Sequence, residues 1–107
     1  MLAQLSLFLF LLAAGFVSCA TAGDADSLNE GKKSARVCGS CHGPKGIARV
    51  ESYPSLAGQS AQYLAKQLRA FRDGSRVDPQ MSVMAKSLSD DEIVNISAWY
   101  ASLSSCK

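Results

Sequence analysis

The chain has 107 residues, of which 48% are hydrophobic, and its formal net charge is +2. This length suits one globular domain and is too short for two. The 11 basic and 9 acidic residues nearly balance, and the basic residues are dispersed without interleaved aromatic residues, which excludes a nucleic-acid-binding surface.

The chain begins with an apolar run over residues 5–14, followed by small residues. This pattern is typical of a signal peptide, although no Lys or Arg precedes the run. Ala20-Thr21-Ala22 fits the cleavage rule, so we predict a signal peptide over residues 1–22 and a single domain over residues 23–107. A lipoprotein site at Cys19 is the alternative and would tether the protein to a membrane. An uncleaved anchor is less consistent, because a spanning helix needs ~20 apolar residues.

The first helix of the domain is predicted by Ser27-Leu28-Asn29-Glu30, which has the form of a capping box. It is expected to run to about Val37. Gly31 inside it would cost about 1 kcal/mol relative to Ala and so indicates a close helix crossing. A turn at Gly43-Pro44-Lys45-Gly46 and a loop reaching to Gly58 follow.

Two further helices are predicted by periodic apolar residues and by end signals. The second begins at Ser60 and ends at Gly74, and one helical face is formed by Tyr63, Leu64, Gln67, Leu68 and Phe71. The last begins at a second capping box, Ser89-Asp90-Asp91-Glu92, and its apolar positions are Ile93, Ile96, Tyr100 and Leu103. No strand is indicated. The predicted fold class is therefore all-α, with three main helices joined by two long loops.

The motif that indicates chemistry is Cys38-Gly39-Ser40-Cys41-His42. Cys-x-x-Cys-His attaches c-type haem: two thiols bond to the porphyrin vinyl groups, and the histidine is the proximal iron ligand. Cys-x-x-Cys also occurs in thioredoxin-like sites and zinc sites. The former expects a βαβ context, and a closed zinc site would need a fourth ligand such as Cys106. We therefore predict one covalent haem c, bound by Cys38 and Cys41, with His42 as an iron ligand.

The sixth iron ligand is expected from the Pro-containing segment before the last helix, where Met81 and Met84 are the candidates. A methionine thioether favours ferrous iron and raises the reduction potential, which suits an electron carrier. Either methionine could instead be core filler.

Together these stretches resemble the class I cytochromes c, and particularly small bacterial members that are similar to one half of the periplasmic dihaem cytochromes. The resemblance covers about residues 31–103. Beyond the haem motif, it rests on Tyr53-Pro54-Ser55-Leu56-Ala57-Gly58-Gln59, on Tyr63-Leu64-Ala65-Lys66-Gln67-Leu68, and on Met81 leading to Leu88-Ser89-Asp90.

The resemblance implies the cytochrome c fold and favours Met81 over Met84 as the ligand. It also implies that the Pro54 carbonyl accepts a hydrogen bond from His42 and that the first and last helices cross near Gly31, with Trp99 or Tyr100 close by. Such a protein is a periplasmic electron carrier and not an enzyme. Its donor would be a quinol-oxidising complex or dehydrogenase, and its acceptor a terminal oxidase or reductase.

Two other functions stay open at this point. Without a methionine bond the haem would bind gases or react with peroxide, and without haem Cys38 and Cys41 would form a dithiol oxidoreductase. Cys106 is compatible with a buried residue, a dimer disulfide or a free thiol.

Overall fold

The computed structural model describes Gly15 and residues 24–106, so the processing sites predicted near Cys19 and Ala22 lie outside the described residues. The described chain contains helices and no strand, as predicted. No helix in this part of the chain is long and apolar enough to cross a bilayer. In chain order the helices are α1 (Ala25–Ser34), α2 (Gly39–His42), α3 (Ala61–Asp73), α4 (Met81–Ala85) and α5 (Asp90–Ser102).

Helices α1 and α5 cross at Gly31, which confirms the expected crossing. A Cβ atom at Gly31 would collide with the carbonyl oxygen of Asn95 and lie 2.9 Å from the Cβ atom of Trp99. Beside this contact, the Ser27 hydroxyl donates to Asn95 Oδ1 at 2.8 Å. Glycine is required here because the two helices pack backbone against backbone.

The predicted capping box at Ser27 and Glu30 is wrong. Helix α1 begins earlier, at Ala25, because Asp24 Oδ1 accepts the Ser27 amide hydrogen bond at 2.8 Å. The Ser27 hydroxyl is instead engaged with α5, and the Glu30 carboxylate pairs with Lys33 Nζ at 2.8 Å. The helix also ends at Ser34, earlier than the predicted Val37, and a turn joins it to α2.

Helix α3 has the predicted ends. The Ser60 hydroxyl accepts from the Tyr63 amide at 3.1 Å, and Gly74 ends the helix in the left-handed conformation with φ 87°. Leu64 and Phe71 are buried as expected. Tyr63 shares their helical face but is 48% exposed, because it lies at one edge of the apolar stripe.

Helix α5 has the predicted capping box and contributes three buried apolar side chains to the core. The Ser89 hydroxyl accepts from the Glu92 amide at 3.1 Å, and the Ser89 amide donates to Glu92 Oε2 at 2.9 Å. The helix packs against both α1 and α3. Of the four predicted apolar positions, Ile93, Ile96 and Tyr100 are buried, whereas Leu103 is half-buried and lies just after the helix.

The segment between α3 and α5, predicted as loop, contains the short helix α4. This helix contacts α3 and no other described helix. Ala85 anchors it, with none of its surface exposed. The prediction treated Pro79 as a loop residue, but proline also fits the first turn of a helix, where its missing N–H is not needed.

Candidate functional site

The Cys-x-x-Cys-His motif lies in and immediately before α2. Cys38 precedes the helix and is half-buried, Cys41 is exposed, and both carry free thiols. His42 is the last residue of α2 and is only 6% exposed. Gly43 follows with φ 86°, a conformation that turns the chain sharply after the histidine.

The imidazole of His42 is oriented by a backbone carbonyl. Its Nδ1 atom lies 2.8 Å from the Pro54 carbonyl oxygen. A carbonyl oxygen can only accept, so Nδ1 carries the proton and donates, and Nε2 keeps its lone pair for a metal. The ring of Tyr53 stands edge-on to the imidazole, with centroids 6.4 Å apart and an interplanar angle of 65°.

The histidine loop, residues 43–59, brings Pro54 to His42. The Gly46 carbonyl accepts from the Leu56 amide at 2.7 Å, which closes the loop on itself. The Gly58 amide donates to the Tyr100 carbonyl at 3.0 Å and so ties the loop to α5. The position of the Pro54 carbonyl is therefore set by bonds to the rest of the fold.

The surroundings of Cys38 keep its thiol neutral. Burial raises the pKa of this thiol above its ordinary value, and burial likewise raises the pKa of the neighbouring Tyr100. The Tyr100 hydroxyl is buried without a hydrogen-bond partner among the described residues. Dithiol oxidoreductases depend on a thiol with a lowered pKa, so this environment does not suit dithiol exchange.

The two candidate methionines lie in the methionine segment, residues 75–88. Met81 is half-buried at the start of α4, and its amide donates to Asp78 Oδ1 at 2.8 Å. Met84, one turn later, is 40% exposed. Asp78 had no role in the sequence-based prediction, although an aspartate directly before a proline is a helix-start signal.

The donor set fits an iron carried by a porphyrin better than a metal held by protein ligands alone. Within residues 24–106, no group of three or more His, Cys, Asp or Glu residues converges as a metal site. The motif instead offers two thiols for covalent attachment and one imidazole nitrogen, Nε2 of His42, with its lone pair available. Cys106, which could have completed a zinc site, is an exposed free thiol near the end of the chain.

Comparison with known proteins agrees with this donor set. The family model described as Cytochrome c matches residues 28–104. The chain belongs to the cytochrome c family. Members of this family are electron-transfer proteins that carry covalently bound haem c with its iron.

This cytochrome c is similar to a longer relative, of which it matches less than half, and to a shorter one, which it matches almost entirely. It is 40% identical over 93 residues to cytochrome c4 of Pseudomonas aeruginosa, a match that spans 86% of the chain and 45% of the relative. It is 42% identical over 84 residues to cytochrome c-554(548) of Halomonas halodenitrificans, spanning 76% of the chain and 98% of the relative. The chain thus spans about half the length of the cytochrome c4 that it matches.

The fold agrees with the same relationship. The crystal structure of reduced recombinant cytochrome c4 from Pseudomonas stutzeri is similar with a TM-score of 0.68 at 30% identity. The match covers 76% of this chain and 50% of that one. This confirms the predicted cytochrome c fold and the predicted likeness to one half of a dihaem cytochrome.

Proposed function

We propose that this cytochrome c is a single-haem electron carrier in which Cys38 and Cys41 hold the haem covalently and His42 and Met81 are the axial iron ligands. The observation that carries the proposal is the hydrogen bond from His42 Nδ1 to the Pro54 carbonyl, at 2.8 Å. That bond fixes the tautomer and the ring orientation needed for a ligand, directly after the two attachment cysteines.

When bound, haem c supplies a one-electron ferric–ferrous couple. The chain's residues would shape that couple: a methionine ligand raises the reduction potential, and burial of His42 keeps water from its ring. Because His42 and Met81 would occupy both axial positions, no iron position would be left for a substrate. The site therefore supports electron exchange and not bond-making chemistry.

Met81 is the proposed sixth ligand, with Met84 as the alternative. Met81 is half-buried and its backbone is fixed by Asp78, whereas the Met84 side chain is 40% exposed. A half-buried side chain on a held backbone suits a ligand better than a more exposed one.

We further propose that the protein acts in the periplasm. An apolar leader over residues 1–22 supports export, with residues 23–107 as the mature domain. The donor would be a quinol-oxidising complex or dehydrogenase, and the acceptor a terminal oxidase or reductase. Lipid attachment at Cys19 would instead hold the protein at a membrane.

Covalent haem is tested by mass spectrometry of the exported protein under denaturing conditions, with a pyridine haemochrome spectrum. We expect one haem per chain, with Cys38 and Cys41 both protected from alkylation and Cys106 still reactive. Cys106→Ser is the matched control and should keep its haem. A haem-free mass with Cys38 and Cys41 both alkylated would contradict the proposal.

Axial saturation is tested with carbon monoxide. The reduced protein should bind carbon monoxide slowly or not at all, because Met81 must first leave the iron. Rapid and complete binding would show an open iron position and would favour a gas-binding or peroxide-reacting protein instead.

A further inference from the structure

Asp78, three residues before Met81, lies at the centre of a cluster of hydrogen bonds. Its Oδ1 atom accepts from the Gln80 amide at 2.9 Å and from the Met81 amide at 2.8 Å. In return, the Asp78 amide donates to the Ser82 hydroxyl at 3.0 Å. The carboxylate thus holds the backbone of the proposed ligand itself.

The same residue begins the helical turn that leads into α4. The Ser82 amide donates to the Asp78 carbonyl at 3.0 Å, and Pro79 lies at the first position of this turn. Aspartate before a first-turn proline is a favourable helix start, because the side chain caps amides that have no partner within the helix. Asp78 therefore sets both the position and the direction of α4.

The segment before Asp78 is fixed at one other place. The Arg76 amide donates to the Ala70 carbonyl at 3.1 Å. The Arg76 guanidinium donates to Gln67 Oε1 at 2.7 Å and lies 4.5 Å from the Phe71 ring centroid. Between Arg76 and Asp78 stands only Val77, which is 81% exposed. After Arg76, Asp78 is therefore the next residue that hydrogen bonds hold in place before the proposed ligand.

No other helix substitutes for this bond network. Among the described helices, α4 contacts α3 alone. The Ala85 anchor holds the far end of α4, after Met81. If the side-chain bonds of Asp78 are lost, the start of α4 keeps only its backbone hydrogen bonds and its packing against α3, so Met81 is held less firmly.

We propose that Asp78 is a positioning residue for the sixth ligand, acting through the Met81 amide to hold the thioether where it can stay bound to iron. This inference rests on the proposed function, since it requires Met81 to be the ligand. It adds a distinct claim, namely that ligand retention depends on a carboxylate that does not touch the cofactor.

The test measures how readily imidazole displaces the methionine in the ferric holoprotein. The readouts are the imidazole dissociation constant and the charge-transfer band of methionine-bound ferric haem. In Asp78→Ala we expect imidazole affinity to rise about fivefold, the factor that corresponds to loss of a typical N-cap. Asp78→Asn keeps an acceptor oxygen and should restore most of the native value.

Asp24→Ala is the matched control. Asp24 caps α1 by the same chemistry, accepting from the Ser27 amide at 2.8 Å, but it lies outside the methionine segment. It should lower the thermal stability of the holoprotein and leave both the band and the imidazole affinity unchanged. An Asp78→Ala protein with native imidazole affinity, or an equal rise in Asp24→Ala, would overturn the role of Asp78.

Two further arms separate this inference from the proposed function. A wild-type protein without the methionine band, or a Met81→Ala protein that keeps it, would contradict Met81 as the ligand, and the role of Asp78 would fall with it. If Asp78→Ala does not accumulate as a haem protein, Ser82→Ala removes only the bond to the Asp78 amide. Because that bond helps to hold the Asp78 backbone, and with it the carboxylate, we then expect a rise in imidazole affinity of about twofold, and native affinity would contradict the inference.

Discussion

The histidine loop and the methionine segment are held to the molecule in different ways. The loop is bonded to itself at Gly46, to the His42 ring through Pro54, and to α5 through the Tyr100 carbonyl. The hydrogen bonds around Met81 and Met84 lie mostly within the methionine segment, and its helix α4 contacts only α3. Val77 and Val83 in this segment are 81% and 71% exposed.

The histidine side of the candidate site is therefore held by contacts with the rest of the fold, whereas the methionine side is held mainly by hydrogen bonds within its own segment. Regions with few buried contacts open at a lower free-energy cost than the core does. We therefore expect the histidine side to be the permanent part of the site and the methionine side to be the part that can detach.

The largest expected effect comes from removing each proposed ligand. His42→Ala should yield little or no stable haem protein, because the proximal ligand is lost and the cavity left behind is buried. Met81→Ala should still accumulate as a covalent haem protein, since Cys38, Cys41 and His42 remain. Haem content per chain, from the pyridine haemochrome, measures the contrast. Similar haem content in the two variants would remove the distinction between the histidine side and the methionine side.

The next test compares a glycine in the histidine loop with the glycine directly before the methionine segment. In Gly46→Ala the new Cβ atom would lie 2.9 Å from the Ala57 amide nitrogen and 2.9 Å from Tyr100 Cδ1, at a backbone φ of 73°. Backbone strain and overpacking together should lower the free energy of unfolding by about 2–5 kcal/mol. Chemical denaturation of the holoprotein measures this change.

Gly74→Ala is the paired variant, at the residue directly before the methionine segment. Its φ is 87°, but no atom lies within 4 Å of a Cβ atom placed there. Only backbone strain applies, and the expected loss is about 1–2 kcal/mol. Equal losses of unfolding free energy in Gly46→Ala and Gly74→Ala would mean that the histidine loop is packed no more tightly than the methionine segment.

Native-state hydrogen exchange compares the two regions without mutation. The Leu56, Ala57 and Gly58 amides bond to carbonyls that tie the histidine loop together and to α5. The Ser82 and Met84 amides bond within the methionine segment. We expect the second group to exchange on the order of tenfold faster, because local opening exposes it. Faster exchange in the first group would reverse the comparison.

The smallest expected effect concerns the ion pair at the end of the methionine segment. Arg72 Nη1 donates to Asp90 Oδ1 at 2.7 Å and to the Leu88 carbonyl at 3.3 Å. The hydrogen bond from Arg72 lowers the pKa of Asp90 below its ordinary value of 3.8. The pair therefore stabilises the folded protein at neutral pH, and this contribution is lost as the pH falls through the lowered pKa.

Thermal unfolding of Asp90→Asn measures this contribution. Its Tm should lie slightly below that of the wild type at neutral pH and low salt, and the two should converge in acid or in high salt. Asp91→Asn is the control, since it also removes a first-turn carboxylate of α5 but Asp91 makes no ion pair among the described residues. A Tm difference for Asp90→Asn that persists in acid would contradict the ionic explanation.

The parts of the fold that depend on local chemistry could be predicted from sequence. Ser60 and Gly74 end α3, and Ser89 begins α5, because each satisfies backbone groups within its own helix turn. Gly31 could be assigned to a helix crossing because glycine is otherwise unfavourable inside a helix. The haem motif is equally local, since its residues lie within five positions of one another.

The features that depend on distant contacts could not be predicted in this way. Asp24 and Ser27 are both good helix caps, and the Ser27 hydroxyl is engaged by Asn95, 68 positions further along the chain. Periodicity predicts the apolar stripe of α3 but not which of its edges is covered, and Tyr63 lies at the exposed edge. Helix α4 was missed because Pro79 indicates a break as readily as a helix start.

The most direct test of the whole account is the charge-transfer band of methionine-bound ferric haem, measured in the wild type, Met81→Ala and Met84→Ala. We predict the band in the wild type and in Met84→Ala, and its loss in Met81→Ala. Absence of the band from the wild type, or its loss only in Met84→Ala, would contradict the assignment of His42 and Met81 as the two axial ligands.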